Sequence, residues 1–459
     1  MLDFLLKNGS YPDFEAGKSV EANIGIKDGK IAYIGREEVP AAETVECKGR
    51  IVSPGFIDIH MHEENFNHSD DFIISKYMVK QGVTTCVGGN CGVVYQTVSE
   101  FRDALSERGG APVNYLMMSG YNSYRGVLGL KLGHFDAASG EQRRKISEMI
   151  KKDIDAGAIG ISFGIEYDPG ITTEEIIEAV SGFGEGLLVA AHYRNDCIDD
   201  VKPVEEMIEI QSGIKQRFQI SHLSSCSALG QMKSSLKLIN DAIEKDPRLN
   251  YDTYPYNAFC TEIGSAVFDE GCFETWKKTY SDVLLTGEPY KNQFANKESF
   301  EDCRKNYPDM LAVAFVMNED EITAAITNKY GMVASDGILN HGNGHPRAAG
   351  TFPRVLGKYV RVDNKLDMLT ALRKMTSEPA KRLGLDGTKG MVKLGYDADI
   401  TIFNPDAIID GPTFEDIGKE NIGIDMVIVD GKIAVKQNAI ISETAGKFIS
   451  YRGIHGADA

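Results

Sequence analysis

The sequence has no stretch approaching the roughly 18 uninterrupted apolar residues of a membrane span. It also lacks any Gly/Ser-rich or Pro-rich linker, any low-complexity tract, and any repeat with a period of roughly 20 to 50 residues. The apolar run at the N-terminus is too short for a signal peptide and contains Asp3. Basic residues are scarce, with 49 Lys+Arg against 67 Asp+Glu and a formal net charge of −18. So much acid repels phosphate backbones and anionic lipid heads, and no basic patch offsets it, so neither nucleic acid nor a membrane is an expected partner. The 8 cysteines follow no repeated spacing, in a chain of 459 residues that needs no staples for its size. A reducing, cytoplasmic setting is therefore expected. What remains is an ordinary globular composition, 42% hydrophobic and 25% charged.

Both ends of the chain are β-rich. Phe4-Leu-Leu6, Ala22-Asn-Ile-Gly-Ile26 and Ile31-Ala-Tyr-Ile34 are separated by Asn8-Gly9 and Asp28-Gly29, and Asp-Gly between apolar runs predicts a hairpin. Near the C-terminus, Ala398-Asp-Ile-Thr-Ile-Phe403, Met426-Val-Ile-Val429, Asp430-Gly431 and Lys432-Ile-Ala-Val435 repeat the style. Between these ends, eight short apolar runs alternate with amphipathic stretches: Phe56–Ile59, Thr84–Val87, Val113–Leu116, Ile159–Ile161, Leu187–Ala191, Phe218–Ile220, Tyr251–Tyr254 and Met332–Ala334. Repeated β-then-α over this length predicts an α/β fold, a parallel (β/α)8 TIM-type barrel over residues 53–390. A small β-sandwich-like domain is expected from residues 1–52 and 391–459 together. Residues 262–310, with Phe268, Phe273 and Trp276 among many charges, form a candidate lid whose aromatics read more as core than as gate.

Polar residues fall at the ends of these runs. His60 and His62 follow the first; one residue apart, both can face a single metal at the top of a barrel strand. Such a pair arises readily by chance in a chain with 9 histidines. The positions of Cys91, His192, His222 and Asp336 alter that weighing, because each closes another candidate strand, and in a parallel barrel those ends converge on one mouth. Taken singly, Cys91 reads as a small buried apolar residue, the histidines as loop residues, and Asp336-Gly337 as a turn. Together, imidazoles with one thiolate suit Zn²⁺, and an aspartate without an ion-pair partner nearby in sequence suits a general base acting on water. His341-Gly-Asn-Gly344 lacks the strand-to-helix setting of a phosphate loop and reads as an active-site loop. Glu63-Glu64 reads either as a pair tuning the metal or as a solvated loop pair.

Pro54-Gly-Phe-Ile-Asp-Ile-His-Met-His62 resembles the opening motif of the amidohydrolase superfamily. Gly82-Val-Thr-Thr-Cys-Val-Gly-Gly-Asn-Cys-Gly92, Gly157–Gly170, Asp252-Thr-Tyr-Pro-Tyr256, His345–Arg354, Thr376–Leu385 and Gly395-Tyr-Asp-Ala-Asp399 are similar to segments of the N-acyl-D-amino-acid deacylases, the D-aminoacylase family. The resemblance runs in chain order from the first hairpin to about residue 435. It implies metal ligation by His60 and His62 at one position and by Cys91, His192 and His222 at a neighbouring tighter one, with one or two Zn²⁺ per chain. Asp336 is implied as the catalytic acid/base, and Arg347, Tyr254 and Tyr167 as substrate-binding residues, the first two holding the carboxylate. Many superfamily members carry a carbamylated lysine; none occurs between Gly157 and Tyr167, which disfavours hydantoinase and dihydroorotase. No Glu stands three residues after His192 or His222, which disfavours deamination.

The activity implied is zinc-dependent hydrolysis of a linear amide, the acyl group of a small-molecule N-acyl-D-amino acid. Two departures touch the substrate. Ser224 stands where the family has a carboxylate-binding Lys, with Arg194 and Arg125 as candidate replacements, and Phe259-Cys260 stand where it has Gly-Ser. An apolar wall from Phe259 and Cys260 would favour neutral or apolar D-residues over acidic ones. A cyclic amidohydrolase, kept open by Ser224, and a catalytically inactive scaffold are the alternatives. The oligomeric state is left open, a homo-oligomer included.

Overall fold

The computed structural model describes residues 1–130, 135–195 and 200–451. Cys197 and the last eight residues of the expected small domain, 452–459, lie outside the described residues.

The eight apolar runs all become strands of one parallel sheet: β1 (Phe56–Asp58), β2 (Val83–Gly88), β3 (Asn114–Gly120), β4 (Gly160–Gly164), β5 (Leu188–His192), β6 (Arg217–Ile220), β7 (Leu249–Thr253) and β8 (Met332–Val333). Each pairs with the next in sequence order. Backbone bonds from Asp336 N to His60 O (2.8 Å) and from His62 N to Gly337 O (2.9 Å) join the last strand to the first at the top of the barrel. The period of two along a strand sorts side chains between two cores. Leu188 and Ala190 of β5 face the barrel interior with Ile57, Val87, Leu116 and Met118, whereas Val189 and Ala191 face the surrounding helices with Tyr115, Phe163 and Phe218. His192 continues the inward parity of Leu188 and Ala190, so the strand itself delivers it to the mouth.

The helices carry their own boundaries. In Gly140–Ala156, Ser139 and Gln142 cap each other, Ile146, Ile150 and Asp153 form the buried stripe at i, i+4 and i+7, and Gly157 ends the helix at φ +112°. That cap is worth about 1 kcal/mol, and the left-handed turn explains the glycine.

Strands from both chain ends merge into a single nine-stranded sheet around its own core of Leu6, Ile24, Val52, Ile400, Met426 and Ile428. Its hairpins turn where the Asp-Gly pairs predicted, with Asp28 at φ +50° and Gly29 at +75°, and Asp430 at +47° and Gly431 at +76°. Behind them, buried Lys389 is ringed by Asp397 (3.0 Å), Asp399 and Asp430 (3.8 Å).

The expected lid segment contains folded structure of its own. Phe259–Glu262, Leu311–Ala314, Val283–Leu285 and Gln293–Phe294 form a four-stranded antiparallel sheet. It is backed by the aromatic cluster of Phe268, Phe273, Trp276 and Phe300. Among the described residues, no helix is long and apolar enough to cross a membrane.

Candidate metal centre and substrate pocket

The strand ends bring His60, Cys91, His222 and Asp336 together, with one donor atom of each within 4.8 Å of the others, all buried. Cys91 Sγ lies 3.4 Å from His60 Nε2 and 3.5 Å from His222 Nε2. Asp336 Oδ1 lies 3.4 Å from Nε2 of both His60 and His62. Zinc holds its donors at about 2.0–2.3 Å in a tetrahedron, which sets neighbouring donors about 3.5 Å apart, so the thiol and imidazoles have the spacing and chemistry of a zinc site. His192 packs edge-on to His222 at 4.4 Å between ring centroids, and its Nε2 meets Glu166 Oε2 at 3.0 Å.

Cys91, His222 and Asp336 all have left-handed backbones, at φ +54°, +32° and +48°. Non-glycine residues adopt this region at a cost, in tight turns such as Asp28 and Asp430 or where a site holds them there. Here the sharp turn at each strand end swings the side chain over the barrel mouth. Gly92, at φ +73°, completes the turn after Cys91; a Cβ there would sit 1.9 Å from Asn122 Oδ1.

The electrostatics are cooperative. Burial opposes ionisation of the Cys91 thiol, but the charges of His60 and His222 outweigh it and hold the thiol well below its usual range. Burial likewise opposes a charged His62, yet Asp336 and Cys91 raise it to about 9. Asp336 is held far below the ordinary carboxylate range despite its burial, chiefly by Arg347, whose Nη2 is 2.9 Å from Oδ2. The ion-pair partner that Asp336 lacks nearby in sequence is therefore Arg347, eleven positions along the chain.

Arg347 is 1% exposed. Its Nη2 also donates to Cys260 O (3.0 Å), and its guanidinium lies 4.6 Å above the Tyr254 ring. Among the described residues, Nε and Nη1 are buried with no hydrogen-bond acceptor, an arrangement costly unless a ligand supplies one. Tyr167 stands beside His192 at 4.7 Å and accepts from Thr261 Oγ1 at 3.3 Å. These groups open on a cavity of about 410 Å³ lined by His62, Cys91, Tyr167, Asp336 and Arg347 and, from the lid strand, Cys260, Thr261 and Glu262.

Several expectations change. Arg125 is buried between Asp168 and Glu175 (2.6 Å to the latter), and Arg194 is held by Glu206 (2.7 Å) and by the carbonyls of Pro169 and Ile171, so neither replaces the missing lysine. Ser224 is buried, with its hydroxyl paired to that of Thr253. Phe259 is not a pocket wall. Its ring turns into the lid core against Trp276 (5.5 Å) and Phe268 (5.9 Å). Glu63 and Glu64 are buried rather than solvated. Glu63 accepts from Gly89 N (2.7 Å) and Tyr95 N (3.0 Å), while Glu64 accepts from Ser75 N (2.8 Å) at the start of the helix Ile74–Lys80.

Asp252, Glu166 and Glu262 are the polar residues that sequence reasoning missed. Asp252 Oδ1 accepts from His60 Nδ1 (3.0 Å) and His222 N (2.8 Å), and Oδ2 accepts from Gln219 Nε2 (2.9 Å). One carboxylate thus orients two members of the cluster and leaves the Nε2 of His60 directed at Cys91. Its place on an inward-facing position of β7 was the available signal.

An amidohydrolase family model matches residues 326–435. The D-aminoacylase of Alcaligenes xylosoxydans xylosoxydans is 30% identical over 98% of this chain and 97% of its own. A crystal structure of a D-aminoacylase superposes with a TM-score of 0.85 at 28% identity, covering 98% of this chain and all of that one. The N-acyl-D-glutamate deacylase of Bordetella bronchiseptica, solved with zinc and a phosphonate mimic of the reaction's tetrahedral intermediate, gives 0.86 at 26% identity over 98% of this chain and 99% of its own.

Proposed function

The chain belongs to the D-aminoacylase family of amidohydrolases, and from that premise we propose how its own residues carry out the zinc-dependent deacylation of N-acyl-D-amino acids to a carboxylate and a free D-amino acid. The observation that carries the reading is the pairing of a metal-competent cluster with a buried arginine that has two donors to spare, in one cavity. Cys91, His60, His62, His192 and His222 would hold the zinc, one ion or two. Zinc bound there supplies a Lewis acid for the amide carbonyl and makes water nucleophilic near neutral pH.

The substrate carboxylate is taken by Nε and Nη1 of Arg347, which the Tyr254 ring supports from below, and this fixes the amide carbonyl toward the cluster. Tyr167 borders the same space. Asp336 accepts the proton of the attacking water and passes it to the leaving nitrogen, so the amine departs neutral. Arg347 keeps Asp336 ionised beforehand. A substrate carboxylate shares the guanidinium's charge, and the hold on Asp336 loosens once substrate is in place. With the described cysteines all free, we place the enzyme in a reducing compartment, the cytoplasm.

The test is a zinc-loaded enzyme assayed against N-acetyl-D-amino acids, their L-enantiomers and cyclic imides. Release of free D-amino acid is the expected result. Ring opening without deacylation would overturn the reading in favour of a cyclic amidohydrolase, and a protein that binds zinc stoichiometrically yet hydrolyses neither would overturn it in favour of a scaffold.

A further inference from the structure

The substrate pocket has a second charged end. Cys260, whose carbonyl fixes Arg347, and Glu262 lie two residues apart on the edge strand of the lid sheet, so both side chains fall on one face, and both line the cavity. At about 3.3 Å per residue, Glu262 stands about 7 Å along the strand from that carbonyl. Among the described residues no hydrogen bond or ion pair engages its side chain, and it is half-buried. Asp309, exposed beside it on the cavity wall, is likewise without a cation among the described residues, whereas Asp269, a third acid of the wall, is paired to Arg304 at 2.6 Å. Among the described residues lining the cavity, Arg347 is the one Lys or Arg, and it is committed to Asp336 at the other end. Arg347's two unpartnered buried donors independently mark the cavity as built for a ligand bearing a carboxylate.

We infer that the preferred substrates are N-acyl-D-amino acids bearing a second, positively charged group, which Glu262 and Asp309 receive while Arg347 holds the α-carboxylate. The spacing suits a flexible four-carbon stem ending in an ammonium, as in a D-lysine side chain. The same chemistry presented from the acyl group is the other source. A second carboxylate placed there would meet two acids and, among the described residues, no unpaired Lys or Arg, which turns the expectation of disfavoured acidic residues from a missing attraction into a repulsion.

This inference rests on the deacylase reading, and one panel separates the two. The metal-loaded enzyme is given N-acetyl-D-lysine against N-acetyl-D-norleucine, and N-(6-aminohexanoyl)-D-alanine against N-hexanoyl-D-alanine. The expectation is a kcat/KM ratio of about tenfold or more for the cationic member of at least one pair, which also identifies the source. In Glu262→Gln that ratio falls toward unity, and Glu262→Asp restores part of it. A wild-type ratio at or below unity in both pairs, with the neutral substrates turned over, overturns this inference and leaves the deacylase reading intact; that comparison needs no variant to fold. Turnover of none of the four overturns the deacylase reading itself.

Discussion

Replacing Glu262 by Gln should stabilise the enzyme at pH 8 and leave its stability unchanged near pH 4. Burial, followed by the charge of Asp309, raises the Glu262 carboxyl from 4.5 to about 7. The shift, about 7 less 4.5, is about 2.5, and at about 1.4 kcal/mol per pKa unit the cost of ionising this group in the fold has a ceiling of about 3.5 kcal/mol. Its side chain is only half-buried, and screening by water brings the cost to about 1–2 kcal/mol. Below pH 4.5 the carboxyl is protonated in folded and unfolded chains alike and costs nothing. Between 4.5 and 7 the unfolded chain releases its proton first, stability falls, and above 7 the whole cost is in place. Glutamine never incurs it. Urea midpoints of wild type and Glu262→Gln, measured at intervals from pH 4 to 8 at equal zinc occupancy and without substrate, should therefore diverge with rising pH in favour of the variant. A difference that is constant with pH, or a variant less stable at pH 8, would refute the reasoning. Such a gain on removing a binding group is the usual trade between stability and function.

Cys91→Ala removes the anionic donor of the cluster, and zinc content and activity should be lost together; full activity with stoichiometric zinc would end the metal-site account. Asp336→Asn preserves shape but cannot accept a proton, so kcat should fall by at least about a hundredfold with zinc near the wild-type level, measured by turnover and metal analysis on one preparation. Lys389→Ala leaves the buried carboxylate of Asp399 without its cation, while half-buried Asp397 keeps Lys30 and Asp430 keeps Lys447, and should cost about 3–5 kcal/mol in denaturant unfolding; a cost below about 1 kcal/mol would show that the ring relaxes freely.

The barrel was legible because each strand is a short apolar run, and the metal cluster because its members close those runs. What escaped was set by partners far away in sequence. Asp252 reads as an ordinary strand-end acid until it meets His60, and Arg125 and Arg194 read as spare cations until their carboxylates are found at Asp168, Glu175 and Glu206. The direction of Phe259 depends on antiparallel register: Phe259 pairs with Ala314 and Glu262 with Leu311, and a slip of one residue would exchange the faces. Nothing local to the sequence states that register, so Phe259 was expected on a wall that Cys260 in fact shares with Glu262.

Stereospecific hydrolysis of a linear amide by the zinc-loaded enzyme is tested most directly with racemic N-acetylmethionine. Run to completion and resolved by chiral chromatography, the reaction should yield D-methionine and acetate with N-acetyl-L-methionine left intact, and chelation of the metal should abolish it. Release of L-methionine in equal amount, or undiminished activity after the metal is removed, would contradict the account.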